Sequence, residues 1–347
     1  YNSSLRRRRC RFDSCREHMK IQTSVPLTAC GTFRIGGIAK EVISVSSPEE
    51  IIEAMEQIRS RKSFDFAQDK NPPWRIFAGG SNIVFPDEGI SGALIRVRGG
   101  EIKVESASRR SKLIVDSGVL LGDVIKEAIS LGWSGLETLS GIPGTIGGAV
   151  YGNAGAYGIS ISNSIDKVEV LIPKSRKSQI TNSKSQTFER KWILKNQCKF
   201  GYRESIFKKK DWIILRVVLK FKKGDRKALQ DRSREIITAR EKKYKPGLQC
   251  PGSFFKNVLV KDVSKMTLKK IDSSKIIDGK IPAGWLLEQV GAKGMREGGI
   301  YIADFHGNLF VNDGKGTARD VKALARILKK KVKARFGIEL EEEVRYF

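Results

Sequence analysis

Histidine is almost missing from this 347-residue chain, which has only His18 and His306. A mechanism built on a histidine base therefore rests on one candidate outside the N-terminal arm. Cysteine is scarce as well. Cys10, Cys15, Cys30, Cys198 and Cys250 are odd in number, irregularly spaced and without a CxxC pair, so neither a zinc site nor a disulfide framework is supported, and a reducing cytoplasm is expected. No apolar run approaches the roughly 20 residues that cross a bilayer; the best central stretch, 212–219, is broken by Arg216. The arginines at 6–9 are followed by polar residues rather than an apolar signal segment, so neither membrane insertion nor export is expected. There is no GxxxxGK[ST], HExxH or GxSxG, and the lone Gly-x-Gly, Gly314 to Gly316, lacks the third glycine of a dinucleotide fingerprint. P-loop, Rossmann, zincin and serine-hydrolase readings fall away. Negative charge is the minority sign, 38 acidic against 65 basic residues for a net +27. Such an excess attracts any anion, whether nucleic acid, membrane surface or phosphorylated metabolite, and cannot choose among them.

What is present describes a folded protein. The chain is 40% hydrophobic and 30% charged, and its length suggests two domains or one large domain with a smaller partner. Residues 1–20 are basic and aperiodic and read as a disordered arm. Ser47, Pro48 and Glu50 open a helix whose Ile51, Met55 and Ile58 share a face. Residues 59–73 lose all period and read as an inserted loop. Strands are expected at 74–77, 93–97 and 112–116, then an amphipathic helix from Leu121 that Gly132 ends. Residues 173–195, rich in Ser, Lys and Gln, read as a second surface insertion. A buried strand is expected over 212–221, a charged helix or linker over 225–245, and a domain boundary within 222–250. The last long helix starts near Thr317, turns Val321, Leu324, Leu328 and Val332 to one face, and stops at Gly337.

Two glycine turns carry the chemical signal. AGGSN at 78–82 follows an expected strand, and GIPGTIGGAVYGNAGAYG at 141–158 holds seven glycines, a density no helix or strand interior tolerates without reason. Lacking Cβ atoms, such turns can bring backbone N–H groups against a pyrophosphate. For AGGSN alone a tight turn is a sufficient account; the longer block points to a ligand.

These segments recur in order with GTFRIGG (31–37), DEGISGALI (87–95), SGLETLSGIPGTIGGAVYGNAGAYG (134–158), FGYRESIF (200–207), PGSFFKN (251–257), AGWLLEQVGAKGMREGG (283–299) and FGIELEEEVRY (336–346). Together they closely resemble the UDP-N-acetylenolpyruvoylglucosamine reductase (UDP-N-acetylmuramate dehydrogenase) family, over most of residues 27–347. The 50 residues from Arg203 to Ser253 match the subclass that lacks an extra substrate-capping tyrosine loop.

The resemblance implies an α+β protein: a two-lobed FAD-binding domain of the vanillyl-alcohol-oxidase (PCMH) type over 21–222, with lobes of about 21–97 and 98–222, and a C-terminal α+β substrate-binding domain over 223–347. It implies noncovalent FAD, NADPH as cosubstrate, and a UDP-sugar substrate whose enolpyruvyl ether is reduced for peptidoglycan precursor synthesis. Carried over by motif, Gly79, Gly80, Ser81 and Asn82 meet the FAD pyrophosphate, and Ile142, Pro143, Gly144, Thr145, Gly147, Gly148 and Asn153 continue the cofactor wall. Arg203, Ser253 and Glu343 fall on catalytic positions, and Lys256 and Asn257 on substrate-binding ones. The chemistry suits those types: hydride addition to the terminal methylene carbon builds charge on its neighbour, which a cation (Arg203) stabilises, a hydroxyl (Ser253) protonates, and a carboxyl group (Glu343) orients. Departures occur at Cys30-Gly31, Ala78 and Val258, none at a catalytic position. A monomer is expected, in the cytoplasm, without membrane or sequence-specific nucleic-acid partners. The rival readings are another FAD oxidoreductase of the same cofactor fold, which would share the glycine turns but not GSFFKN, and a basic nucleic-acid-binding protein, for which no zinc finger, RNP1 or GXXG module is visible.

Overall fold

A computed structural model describes residues 7–8, 19–60, 74–107, 110–173, 188–245 and 247–347. Most of the arm expected at 1–20, nearly all of the loop expected at 59–73, and residues 174–187 of the expected second insertion lie outside the described residues. The chain divides into two compact units: one of residues 1–22, 42–79 and 92–238, the other of residues 23–41, 80–91 and 239–347. The second unit thus draws two early segments to the C-terminal part of the chain. Its borders at 22/23, 41/42 and 91/92 fall inside the strands Lys20–Pro26, Ile38–Val45 and Ile90–Val97, so no linker separates them from the first.

The first unit is built on an antiparallel sheet in the order Arg7–Arg8, Ile102–Ala107, Arg110–Asp116, Ile213–Lys220, Ile165–Pro173, Phe188–Leu194. The central strand Ile213–Lys220 is apolar almost throughout because both of its faces are covered. Opposite Ile165–Pro173, Glu169 pairs with Arg216 and Val170 with Ile214, so Leu215 is an extra residue, a bulge. The bulge lets Val217 and Ile214 join Val168 and Val170 on one face, over the helix Leu121–Ser130. Ile213 and Leu171 face the other way, toward Ile51, Ala54, Met55 and Ile58 of the helix Pro48–Ser60. Arg216 lies on that second face. Residues 188–194, expected to belong to a loop, form an edge strand paired from Phe188↔Pro173 to Leu194↔Lys167. Exposed Glu189, Arg190, Lys191, Trp192 and Leu194 hide its alternation, since an edge strand buries little.

The helix Pro48–Ser60 begins as expected, with Ser47 Oγ accepting the Glu50 N–H at 3.1 Å. The returning Glu50 carboxylate accepts from Ser46 N at 2.7 Å, one residue earlier than an ordinary capping box.

In the second unit, the helix Ala318–Phe336 buries Val321, Leu324, Leu328, Val332 and Phe336. It packs with Leu286 and Leu287 of the helix Ala283–Gln289 and with Ile300, Ile302 and Phe310 of a three-stranded antiparallel sheet. Phe33, Ile35 and Val84, from the early segments, complete this core. Thr317 and Asp320 form a reciprocal capping box, and Gly337 ends the helix at φ +72°. Strand Arg345–Tyr346 pairs in parallel with Ile83–Val84.

Candidate active site

The first unit carries the glycine block. Thr145 caps the short helix Ile146–Tyr151, its hydroxyl accepting from Gly148 N at 3.3 Å. Gly147 is dictated by packing: its N–H donates to Ser117 O at 2.9 Å, and a Cβ there would stand 2.8 Å from the Ser117 Cβ. Gly79 and Gly148 differ. A Cβ on Gly79 would meet only Gly144 Cα at 3.4 Å, and one on Gly148 only Thr145 Oγ1 at 3.7 Å. The protein has room for a methyl group at both, so its own packing does not require glycine there. Backbone that must lie against a ligand does require it, and this part of the block fits a flat, phosphate-bearing cofactor. Gly79 and Gly144 are adjacent in space although 65 residues apart in sequence, the pairing of turns expected from sequence. Ile142 is half-buried and Pro143 exposed beside them.

Asn153, φ +44°, is buried within the fold. Its amide donates to Gly201 O at 2.7 Å and its carbonyl oxygen accepts from Ser162 N at 3.3 Å. It thereby ties the glycine block to the loop bearing Arg203. Arg203 has φ +55°, a left-handed conformation costly for a residue with a Cβ. Its guanidinium donates to Gly155 O at 2.8 Å, and Lys208 Nζ donates to its carbonyl oxygen at 2.6 Å. The strained backbone and both bonds set the direction of this side chain.

The second unit holds the other candidates. Gly80, φ +64°, leaves no space for a side chain, since a Cβ would stand 2.2 Å from Cys30 O. Ser81 O accepts from Thr32 Oγ1 at 3.4 Å. Asn82 Nδ2 donates to Glu343 O at 3.0 Å, and Asn82 O accepts from Arg345 N at 3.0 Å. Asn82 is thus hydrogen-bonded twice to the 343–345 segment.

Ser253 begins a segment gripped from two sides. On one, Ser253 bridges Leu309, Phe254 N donates to Asn308 O at 3.0 Å, and the buried Asn308 side chain exchanges two 2.8 Å hydrogen bonds with the Phe255 backbone. On the other, Glu343 N donates to Phe254 O at 2.7 Å and Lys256 N to Glu341 O at 2.9 Å. Phe254 stacks on Phe310 with centroids 3.8 Å apart. Ser253 Oγ lies 3.0 Å from the Tyr244 hydroxyl. Lys256 is buried and ion-paired with Glu341, and Asn257 Oδ1 accepts from Ala283 N at 3.1 Å, satisfying the first turn of Ala283–Gln289. The structure therefore brings Ser253, Glu343 and Asn82 together, and separately Arg203, Asn153 and the glycine block. Sequence reasoning passed over Tyr244, Asn308 and Asp87, whose partners are remote along the chain.

Two protein families match the chain. Residues 39–176 match an FAD-binding domain family, and residues 244–347 match the C-terminal domain of UDP-N-acetylenolpyruvoylglucosamine reductase. The chain is 37% identical to the reductase of that name from Solibacter usitatus over 95% of this chain and 97% of the relative. It is 32% identical to the one from Thermotoga maritima over 79% and 84%. The solved structure of the reductase from Thermus caldophilus superposes with a TM-score of 0.67 at 28% identity, covering 95% of this chain and 99% of that one.

Proposed function

The chain belongs to the UDP-N-acetylenolpyruvoylglucosamine reductase family, and we propose that Arg203, Ser253 and Glu343 are the side chains that serve its reaction. It is an FAD-containing oxidoreductase that uses NADPH to reduce the enolpyruvyl ether of UDP-N-acetylglucosamine enolpyruvate to UDP-N-acetylmuramate, a step of peptidoglycan precursor synthesis. Bound FAD would supply the hydride-transfer chemistry that links NADPH to the substrate. Gly79, Gly80, Ser81, Asn82, Ile142, Pro143, Gly144, Thr145, Gly147 and Gly148 are the residues we assign to holding it, with Asn153 bracing the glycine block.

The protein's own part is electrostatic and acid–base. Arg203, aimed by its strained backbone, offsets the negative charge that develops beside the substrate carboxylate. Ser253 holds the proton that this carbon needs. Glu343, one hydrogen bond along from Ser253's segment, orients the carboxylate. Lys256 and Asn257 keep the Ser253 segment seated and border the substrate. The observation that carries this reading is the double grip on 253–256, which bonds the residue after Ser253 to the backbone of Glu343. The same reading takes FAD as noncovalent, because no histidine stands in the glycine motifs to tether it. It further takes the protein as a cytoplasmic monomer without membrane or sequence-specific nucleic-acid partners; among the described residues no helix is long and apolar enough to cross a membrane.

Stopped-flow absorbance separates the two half-reactions. Ser253→Ala should be reduced by NADPH at the parent rate, since that step needs no substrate proton. Its reoxidation by UDP-N-acetylglucosamine enolpyruvate should slow by roughly 10²–10⁴, the usual worth of general acid catalysis. Reoxidation at the parent rate would refute the assignment.

A further inference from the structure

We propose that Tyr244 is the positioning residue and proton reserve behind Ser253, its phenolic O–H donating to Ser253 Oγ. The inference rests on the reading of Ser253 as proton donor and extends it one residue outward. An aliphatic alcohol that gives up its proton in a half-buried place leaves an alkoxide, a poor leaving charge with little water to solvate it. A phenol is a much stronger acid than an alcohol. With the Tyr244 hydroxyl 3.0 Å from Ser253 Oγ, the serine O–H bond breaks as its hydrogen bonds to the substrate carbon. The phenolic O–H bond breaks as its hydrogen passes to the serine oxygen. The electron pair and the charge finish on the phenol oxygen, which regains a proton from water. Donation by the phenol also leaves the serine hydrogen free to point at the substrate.

The surroundings of Tyr244 suit that role. It follows the last turn of the helix Arg226–Lys243, its N–H donating to Arg240 O at 2.7 Å. Its ring is half-buried against a cluster containing Ala303, Leu309, Val311, Leu248, Cys250 and Tyr301. Two cations face it: the Arg240 guanidinium and the Lys243 ammonium, each 5.3 Å from the ring centroid.

The test uses the full chain with FAD bound. Tyr244→Phe should keep the parent rate of reduction by NADPH and bind substrate within about threefold. Its reoxidation by substrate should slow by about 10- to 100-fold, part of the span typical of proton donation. In mixtures of H2O and D2O the parent rate should bow, with two hydrogens in flight, and the variant rate should fall on a straight line. A second readout needs no turnover. Ser253→Cys, with and without Tyr244→Phe, is alkylated across pH and the 253 peptide followed by mass spectrometry. The phenol should lower the titration of that thiol by about one unit. Parent-rate reoxidation in Tyr244→Phe, equal bowing in both proteins, equal thiol titration, or loss of flavin or of NADPH reduction each overturns the inference. If Ser253→Ala itself reoxidises at the parent rate, the underlying reading fails; if only Tyr244→Phe does, this inference fails alone.

Discussion

Arg216 answers three carboxylates at once. Its guanidinium reaches Asp116 at 2.8 Å, Glu169 at 3.3 Å and Glu49 at 3.3 Å, while Arg190 holds Glu169 at 2.6 Å and Glu49 at 3.2 Å. Burial pushes the Asp116 carboxyl up, partly offset by its hydrogen bonds to the Glu101 N–H and Arg216. Removing the cation leaves buried Asp116 without its charged partner, while Glu169 keeps Arg190, so Arg216→Met should cost about 3 kcal/mol, read as a lower denaturation midpoint in urea. A half-buried histidine contributes to the response to acid in the other unit. Burial, aided by the charge of Lys243, pushes His306 down from 6.5 to about 4, and its Nδ1 accepts the Asn308 N–H at 3.0 Å. An unfolded chain takes up that proton near 6.5 and the folded one only near 4. The contribution is therefore complete above pH 6.5 and is lost as the pH falls through about 4. The melting temperature should decline over that window, less steeply in His306→Gln.

At the level of elements, legibility followed the range of the signal. The helix Ala318–Phe336 could be read whole, because Thr317, Asp320, Gly337 and its apolar stripe are local in sequence. Leu121–Ser130 and Ile213–Lys220 were legible for the same reason. The strand Phe188–Leu194 was not, because its exposed charged residues mask the period of two. Within the site, glycine spacing marked both turns, and motif context marked Ser253 and Glu343. Tyr244 behind Ser253 left no local trace, nor did Asn308 under Phe255. The same holds for Asp87, whose carboxylate accepts from Ala318 N at 2.7 Å and Arg319 N at 3.0 Å at the start of the last helix. That contact joins a motif of the 80–91 segment to a helix more than two hundred residues on, and it places a negative charge at the positive end of the helix dipole. Asp87→Ala should cost about 1–2 kcal/mol, seen as a shift of the urea midpoint without a change in slope.

For the molecule as a whole, the discontinuous second unit matters most. Phe33, Ile35 and Val84 are at most 2% exposed in its core, and at about 1.5–3 kcal/mol each their burial contributes roughly 5–9 kcal/mol. That is comparable to the entire stability of an ordinary domain. A fragment of residues 239–347 should therefore be unfolded, with collapsed amide dispersion in its proton NMR spectrum; a well-dispersed spectrum would show that the early segments are dispensable. The same interleaving imposes an order on synthesis. Asn82 and Glu343, hydrogen-bonded in the finished protein, stand 261 positions apart. At about 5–20 residues per second a ribosome needs on the order of ten to fifty seconds between them. For most of that interval Phe33 and Val84 lack their C-terminal partners, and the nascent chain offers apolar surface that a chaperone can hold. A polypeptide that stops before Arg345–Tyr346 lacks this strand and leaves Ile83–Val84 without its parallel partner.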